Sequence, residues 1–187
     1  LALVMAVMMI ACAMPAMAES TGDAYVFWYT FSDVYLSSVR EALDSALETA
    51  GITYVDQDAN ATQTTQTDQI TTAIATGTDL LAVNIVETGE DGIAQKVVDQ
   101  AKAAGIPLLF FNRSVSEDVV KSYDKCCFVG NNYEQAGIMQ GEILADLYAA
   151  NPERVDKNGD GKVMTLEFEG EINNPEAIAR TEYSLST

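Results

Sequence analysis

The stretch LLAVNIVETGEDGIAQKVVDQAKAAGIPLLFF, residues 80–111, decides the fold class. Leu80–Val86 is a short, nearly continuous apolar run, as expected of a strand buried on both faces. Asp91–Ala104 carries apolar residues at helical spacing and is stopped by Gly105, a favourable residue just past a helix end. Pro107–Phe111 is a second apolar run. The unit reads strand, helix, strand, with a connection long enough for a parallel crossover. The same alternation extends upstream. Ala24–Tyr29 and Ile52–Val55 read as strands. Asp33–Ala50, with Leu36, Val39, Leu43 and Leu47 in phase, and Thr62–Thr76 read as helices closed by Gly51 and Gly77. The expectation is an α/β fold with doubly wound parallel sheets, its first lobe spanning residues 19–112.

The register changes after residue 112. Arg113–Lys125 is polar and irregular, Cys126–Gly130 a short strand, and Glu134–Ala150 a helix with Ile138, Ile143, Leu144 and Leu147 expected inward. A loop follows. Val163–Glu169 alternates, with Met164, Leu166 and Phe168 on one side, as a strand would. Pro175 and Glu176 open a last helix. Residues 113–187 therefore read as a crossover and the start of a second α/β lobe.

Residues 1–18 are apolar apart from Pro15 and end Ala16-Met17-Ala18, small residues three and one before the expected cut at Glu19. This reads as the h-region and cleavage site of a secretory signal peptide. A lipoprotein signal leading to Cys12 and a membrane anchor are the rival readings. Leu1 has no initiator Met before it and Thr187 falls within a helical pattern, so both ends read as cut.

Composition narrows the function. The 187 residues hold 28 acidic and 10 basic side chains, a net charge of −18, which opposes binding to nucleic acid or anionic membranes. With no histidine, Ser-His and Cys-His nucleophile pairs and His-ligated zinc are excluded. Cys126 and Cys127 are adjacent and bridge only with strain. No GxGxxG follows the first strand, so a dinucleotide site has no support.

Two constellations carry chemistry. Asp156-Lys157-Asn158-Gly159-Asp160-Gly161-Lys162 places oxygen donors at the first, third and fifth positions, glycine at the sixth and a backbone carbonyl at the seventh, a Ca²⁺ loop pattern running over 156–164. Glu167 holds the twelfth position, but the following residues alternate like a strand rather than a helix, so it is expected to point off the metal. Met164 at the ninth position offers no oxygen. The second constellation is positional, because open α/β sheets bind ligands beyond the carboxyl ends of their strands. Asp33 and Tyr35 follow the first strand and Asn112 the fourth. Asn174, Glu176 and Arg180 follow the 163–169 segment. Carboxylate, amide and guanidinium groups take neighbouring hydroxyls while an aromatic ring covers a C–H face, which suits a sugar.

Seven segments, YTFSDVYLSSVR (29–40), DLLAVNIV (79–86), PLLFFN (107–112), SYDKCCFVG (122–130), GIMQG (137–141), DKNGDGK (156–162) and GEINNPEAIARTEY (170–183), resemble the periplasmic galactose/glucose-binding proteins, type I solute-binding proteins of ABC importers. The calcium loop is the most specific of them, since ribose-binding relatives lack it. The resemblance implies two lobes closing on one monosaccharide without catalysis, and docking of the closed form on a permease. A monomeric state and coupling to a chemotaxis receptor are further implications, as is a periplasmic or cell-surface location. It makes Asp33 a hydroxyl acceptor, Tyr35 a stacking aromatic, Asn112 the closing residue of the FFN run and Arg180 a sugar-binding guanidinium. Asn174 stands where a His is usual, Glu176 where an Asp is usual and Met164 where a Gln is usual, which bears on sugar preference and calcium strength. The remaining sugar ligands and a calcium-binding Glu are expected beyond Thr187. Rival classes are an EF-hand or dockerin-like calcium module, a secreted carbohydrate-active enzyme and the effector domain of a sugar-responsive repressor.

Overall fold

The computed structural model describes residues 24–186. The expected signal segment 1–18 lies outside them. Five strands, β1 (Ala24–Trp28), β2 (Tyr54–Asp58), β3 (Leu80–Val83), β4 (Leu108–Phe111) and β5 (Cys126–Val129), form one sheet. Its order is β2-β1-β3-β4-β5 and every pairing is parallel. Helices α1 (Val34–Ala50), α2 (Gln63–Thr76), α3 (Asp91–Ala104) and the short α4 (Glu117–Lys121) connect them. Helices α5 (Tyr133–Ala150), α6 (Pro152–Val155) and α7 (Pro175–Ser186) follow the sheet.

Successive residues of a strand face opposite sides of the sheet, and β1 divides accordingly. Phe27 joins Leu81, Val83, Val97, Val98, Leu108 and Phe110 in the larger core under α2 and α3. Val26 and Trp28 join Leu36, Ala82 and Phe111 in a smaller core, against which Val39, Leu43 and Leu47 of α1 pack. The expected apolar stripe of α1 is thus present. Helix α3 occupies the residues its spacing predicts, with Ala94, Val97, Val98 and Ala101 buried.

Several expectations are corrected. The second strand lies at Tyr54–Asp58 rather than 52–55. It is an edge strand, so polar residues are tolerated there. Pairing Trp28 with Asp58 in register also lets the Trp28 indole donate to Asp56 Oδ1 at 2.7 Å. Strand β5 pairs with β4, so the first sheet continues past residue 112, the expected lobe boundary, to Val129. The segment 113–125 is not wholly irregular. Ser116 caps α4 by accepting from Val119 N.

Residues 163–169 do not form a strand. No strand among the described residues lies beside them to complete a ladder, and Met164, Leu166 and Phe168 are exposed. Nor do Ile143, Leu144 and Leu147 face inward; all three are exposed. Helix α5 instead meets α7 through glycine. Gly137 and Gly141 are its buried residues. A Cβ built at Gly137 would stand 2.8 Å from Tyr183 Cβ and 3.0 Å from the carbonyl oxygens of Ala179 and Arg180. The missing side chain is what lets the two helices close together.

Replacing Gly137 by valine is therefore expected to destabilise the protein by about 1–3 kcal/mol through overpacking. Urea denaturation of the two forms checks this, and an unchanged midpoint would contradict the close α5–α7 approach.

Candidate functional site

Strand order reverses between β1 and β3, and the cleft at that switch point is where a doubly wound sheet offers a ligand site. A cavity of about 480 Å³ opens there. Its lining contains all six residues expected from sequence, Asp33, Tyr35, Asn112, Asn174, Glu176 and Arg180, together with Tyr29, Leu36, Arg113 and Asn131. Residues far apart in sequence converge because the β1–α1 and β4–α4 connections end beside the start of α7.

Asp33 does two jobs. It is the N-cap of α1, its Oδ1 accepting from Leu36 N at 2.9 Å, and it lines the cavity. Capping orients the carboxylate and leaves its second oxygen for a ligand. Tyr35, in the first turn of α1, is 63% exposed, so its ring face is accessible. Asn112 has φ 63°, which turns the chain sharply at the end of β4. Its backbone N donates to Val129 O at 2.9 Å.

What fixes the Asn112 side chain is Asn84, a residue the sequence reading passed over. Asn84 is fully buried at the end of β3. Its Nδ2 donates to Asn112 Oδ1 at 3.0 Å and to Phe111 O at 3.3 Å, and its Oδ1 accepts from Tyr29 N at 3.0 Å. Asn112 Oδ1 is thereby engaged, and its amide N–H groups are left for a ligand. Gln66, also buried, holds the same turn by donating to Asn84 O and accepting from Val86 N.

Arg113 was likewise not singled out from sequence. Its guanidinium lies 4.4 Å from the Tyr29 ring centroid and pairs with Glu171 at 2.6 Å. Its Nε is buried without a protein acceptor. On the facing wall, Asn174 Oδ1 accepts from Glu176 N at 2.9 Å and its Nδ2 donates to Glu171 at 3.3 Å. Asn174 thus shapes the turn that presents Glu176. The Glu176 carboxyl is half-buried, with Oε1 buried and unpartnered. Burial pushes its pKa up, and the Arg180 and Arg113 cations draw it back. Arg180 is exposed at the rim. The cleft therefore offers carboxylates, amides and guanidinium groups around a void, with tyrosines at its edge. Such groups can exchange hydrogen bonds with neighbouring hydroxyls, while an aromatic ring can cover a C–H face.

The 156–162 loop is folded on its own carboxylates. Asp156 accepts backbone N–H groups from Gly159, Asp160 and Gly161 at 2.7–3.2 Å, and Asp160 accepts from Lys162 N at 2.9 Å. Asn158 Nδ2 donates to Asp160 Oδ2 at 2.9 Å. Gly159 and Gly161 supply the left-handed turns at φ 71° and 74°. Glu167 is turned away, accepting from Ser184 Oγ at 2.6 Å. Among the described residues no three His, Cys, Asp or Glu side chains gather as a metal site. The donors that fit a hard cation are the Asp156, Asn158 and Asp160 side chains with the Lys162 carbonyl, fewer than the six to eight oxygens calcium takes.

Comparison with known proteins accords with this geometry. Residues 24–187 match the family model described as a periplasmic binding protein domain. Over 156 residues the chain is 31% identical to the D-galactose/methyl-galactoside binding periplasmic protein MglB of Haemophilus influenzae, covering 83% of this chain and 46% of that protein. Among solved structures it is similar to a Mycobacterium smegmatis protein in complex with β-D-fucofuranose, at 27% identity and TM-score 0.69, covering 87% of this chain and 49% of the other. It is also similar to an ABC transporter solute binding protein from Bacillus halodurans with bound myo-inositol, at 25% identity and TM-score 0.66, covering 87% and 50%. The chain spans about half the length of the relatives it matches.

Replacing Asn84 by alanine strands the Tyr29 N–H and removes the donor to Asn112 Oδ1, while the Phe111 carbonyl keeps its bond from Arg113 N. A loss of at least about 2 kcal/mol in unfolding free energy is expected. Denaturant titration reads it, and a loss below about 0.5 kcal/mol would remove Asn84 from its bridging role.

Proposed function

Since this chain belongs to the periplasmic binding protein family, we propose that the protein it represents is the substrate-capturing component of an ABC importer, holding one neutral monosaccharide of galactose or glucose type. The observation that carries this is the convergence of Asp33, Tyr35, Asn112, Glu176 and Arg180, with Asn174 shaping their turn, on one cavity of about 480 Å³. Each group suits reversible capture. Asp33 accepts from a sugar hydroxyl through the oxygen that capping leaves over. Asn112, held by Asn84, donates to a hydroxyl or ring oxygen. Tyr35 covers a C–H face. Glu176 and Arg180 bind hydroxyls from the α7 side, and the unpartnered Glu176 oxygen gains the donor it lacks.

Capture outside the cytoplasm, after export by the segment 1–18, fits this role, with the sugar passed to a membrane permease. No helix among the described residues is long and apolar enough to cross a membrane. Free or lipid-anchored forms, a monomeric state and contact with a chemotaxis receptor are consistent extensions of the same reading.

Calcium is the second part of the proposal. Asp156, Asn158, Asp160 and the Lys162 carbonyl would hold the ion, and its contribution would be to stiffen the loop between α6 and the 163–169 segment. With Glu167 committed to Ser184 and Met164 at the ninth position, binding is expected to be weaker than in a complete twelve-residue loop.

Two outcomes test these assignments on the full-length protein. In calorimetric titration with D-galactose and D-glucose, Asp33→Ala should weaken binding at least tenfold, the loss of a charge-assisted hydrogen bond worth about 1.5–3 kcal/mol. Unchanged affinity would refute the role of Asp33. Millimolar Ca²⁺ should raise the Tm above its value in chelator, and Asp156→Asn with Asp160→Asn should abolish the rise. An equal rise in the double variant would place the ion elsewhere.

A further inference from the structure

A carboxylate pair behind the cleft has no part in sugar capture. Asp44 lies about three turns along α1 from Asp33. Its Oδ1 is buried and receives no donor. Asp56 of β2 stands within hydrogen-bonding reach of Asp44, and its own Oδ1 already accepts from the Trp28 indole at 2.7 Å. The other groups facing the pair are Arg40 and Glu48 on α1 and Tyr54 on β2. Arg40 lies 3.9 Å over the Phe31 ring, and Tyr54 leans its hydroxyl toward Glu48. One cation thus faces three acids. A buried carboxylate oxygen that faces a second carboxylate is relieved when one of the pair takes up a proton, since the proton supplies the missing donor and removes the like-charge repulsion.

We propose that a proton shared between Asp44 and Asp56 latches helix α1 onto edge strand β2, and that the latch opens as the surroundings approach neutrality. Burial and the Asp56 charge push the Asp44 carboxyl from 3.8 up to about 6. The sign follows from linkage. A group with a raised folded-state pKa contributes its full stabilisation below the ordinary carboxylate value of 3.8 and loses it as pH rises through about 6. The latch joins two elements that build the cleft. Helix α1 begins at the cavity residues Asp33 and Tyr35. Trp28, held by Asp56, packs edge-on against Phe111 at 5.0 Å, immediately before Asn112. This device does not depend on which ligand the cleft takes.

The test is the Tm of the full-length protein between about pH 4.5 and 7.5, wild type against Asp44→Asn. The asparagine amide donates to Asp56 at every pH. The two proteins should melt together near pH 4.5. Near pH 7.5 the wild type should melt about 3 °C or more below the variant. A constant offset across the range, or a wild type that gains on the variant toward neutrality, would overturn the latch. If Asp44→Asn does not fold, the wild type decides through Trp28 emission, isolated by subtracting a Trp28→Phe control. A sigmoidal change between about pH 5 and 7 supports the shared proton; a flat profile overturns it.

Discussion

The cleft depends on one buried carboxamide. Asn84 stands where the sheet order reverses, and its three side-chain hydrogen bonds join the end of β3 to the ends of β1 and β4. Three neighbouring strands must stop at compatible heights for a floor to exist at all. Within an apolar core the backbone groups at those ends need partners, because a buried, unpaired N–H or carbonyl costs free energy that packing does not return. The Asn84 side chain is the acceptor for the Tyr29 N–H and a second donor to the Phe111 carbonyl, which also accepts from Arg113 N. The same bonds turn Asn112 so that its amide faces the void, and Gln66 secures the backbone on the other side of the turn.

The facing wall is held more lightly. The start of α7 reaches the sheet through the Arg113–Glu171 ion pair and a close approach of Asn173 to Gly89. Glu171 is 55% exposed, so solvent screens that pair, and its contribution to stability is small. The contrast has a functional meaning. Under the proposed capture role, a floor fixed by buried hydrogen bonds and a wall tethered by a half-exposed ion pair would let the wall move while the floor stays in place. The α5–α7 contact, close because Gly137 has no side chain, makes that wall a stiff unit of its own.

Much of the fold was legible in the sequence, and the parts that were not share a cause. Helix α3 and the strands buried on both faces were readable because hydrophobic period and glycine stops agree there. The second strand was displaced because an edge position tolerates the polar run from Asp56 to Asp58, which the apolar period cannot detect. The leucines of α5 and the 163–169 segment were read as inward or paired from their spacing, yet spacing names a face and not what covers it. Asp33, Tyr35 and Asn112 were legible because they follow strand ends; Asn174, Glu176 and Arg180, which follow no strand, were legible only through the segment that carries the family resemblance. Asn84 and Arg113 were not. An asparagine at the end of the apolar run of β3 and an arginine just past β4 give no local signal; their roles come from tertiary partners at Tyr29, Phe111 and Glu171.

The central claim is that residues from the strand ends and from α7 close on one sugar. A crystal structure of the full-length protein grown with D-galactose tests it most directly. The account predicts a single pyranose ring in the cleft, bonded to Asp33, Asn112 and Arg180, with Tyr35 against one face and the Glu176 oxygen paired to a hydroxyl. A sugar bound elsewhere, or these side chains turned from it, would contradict the account.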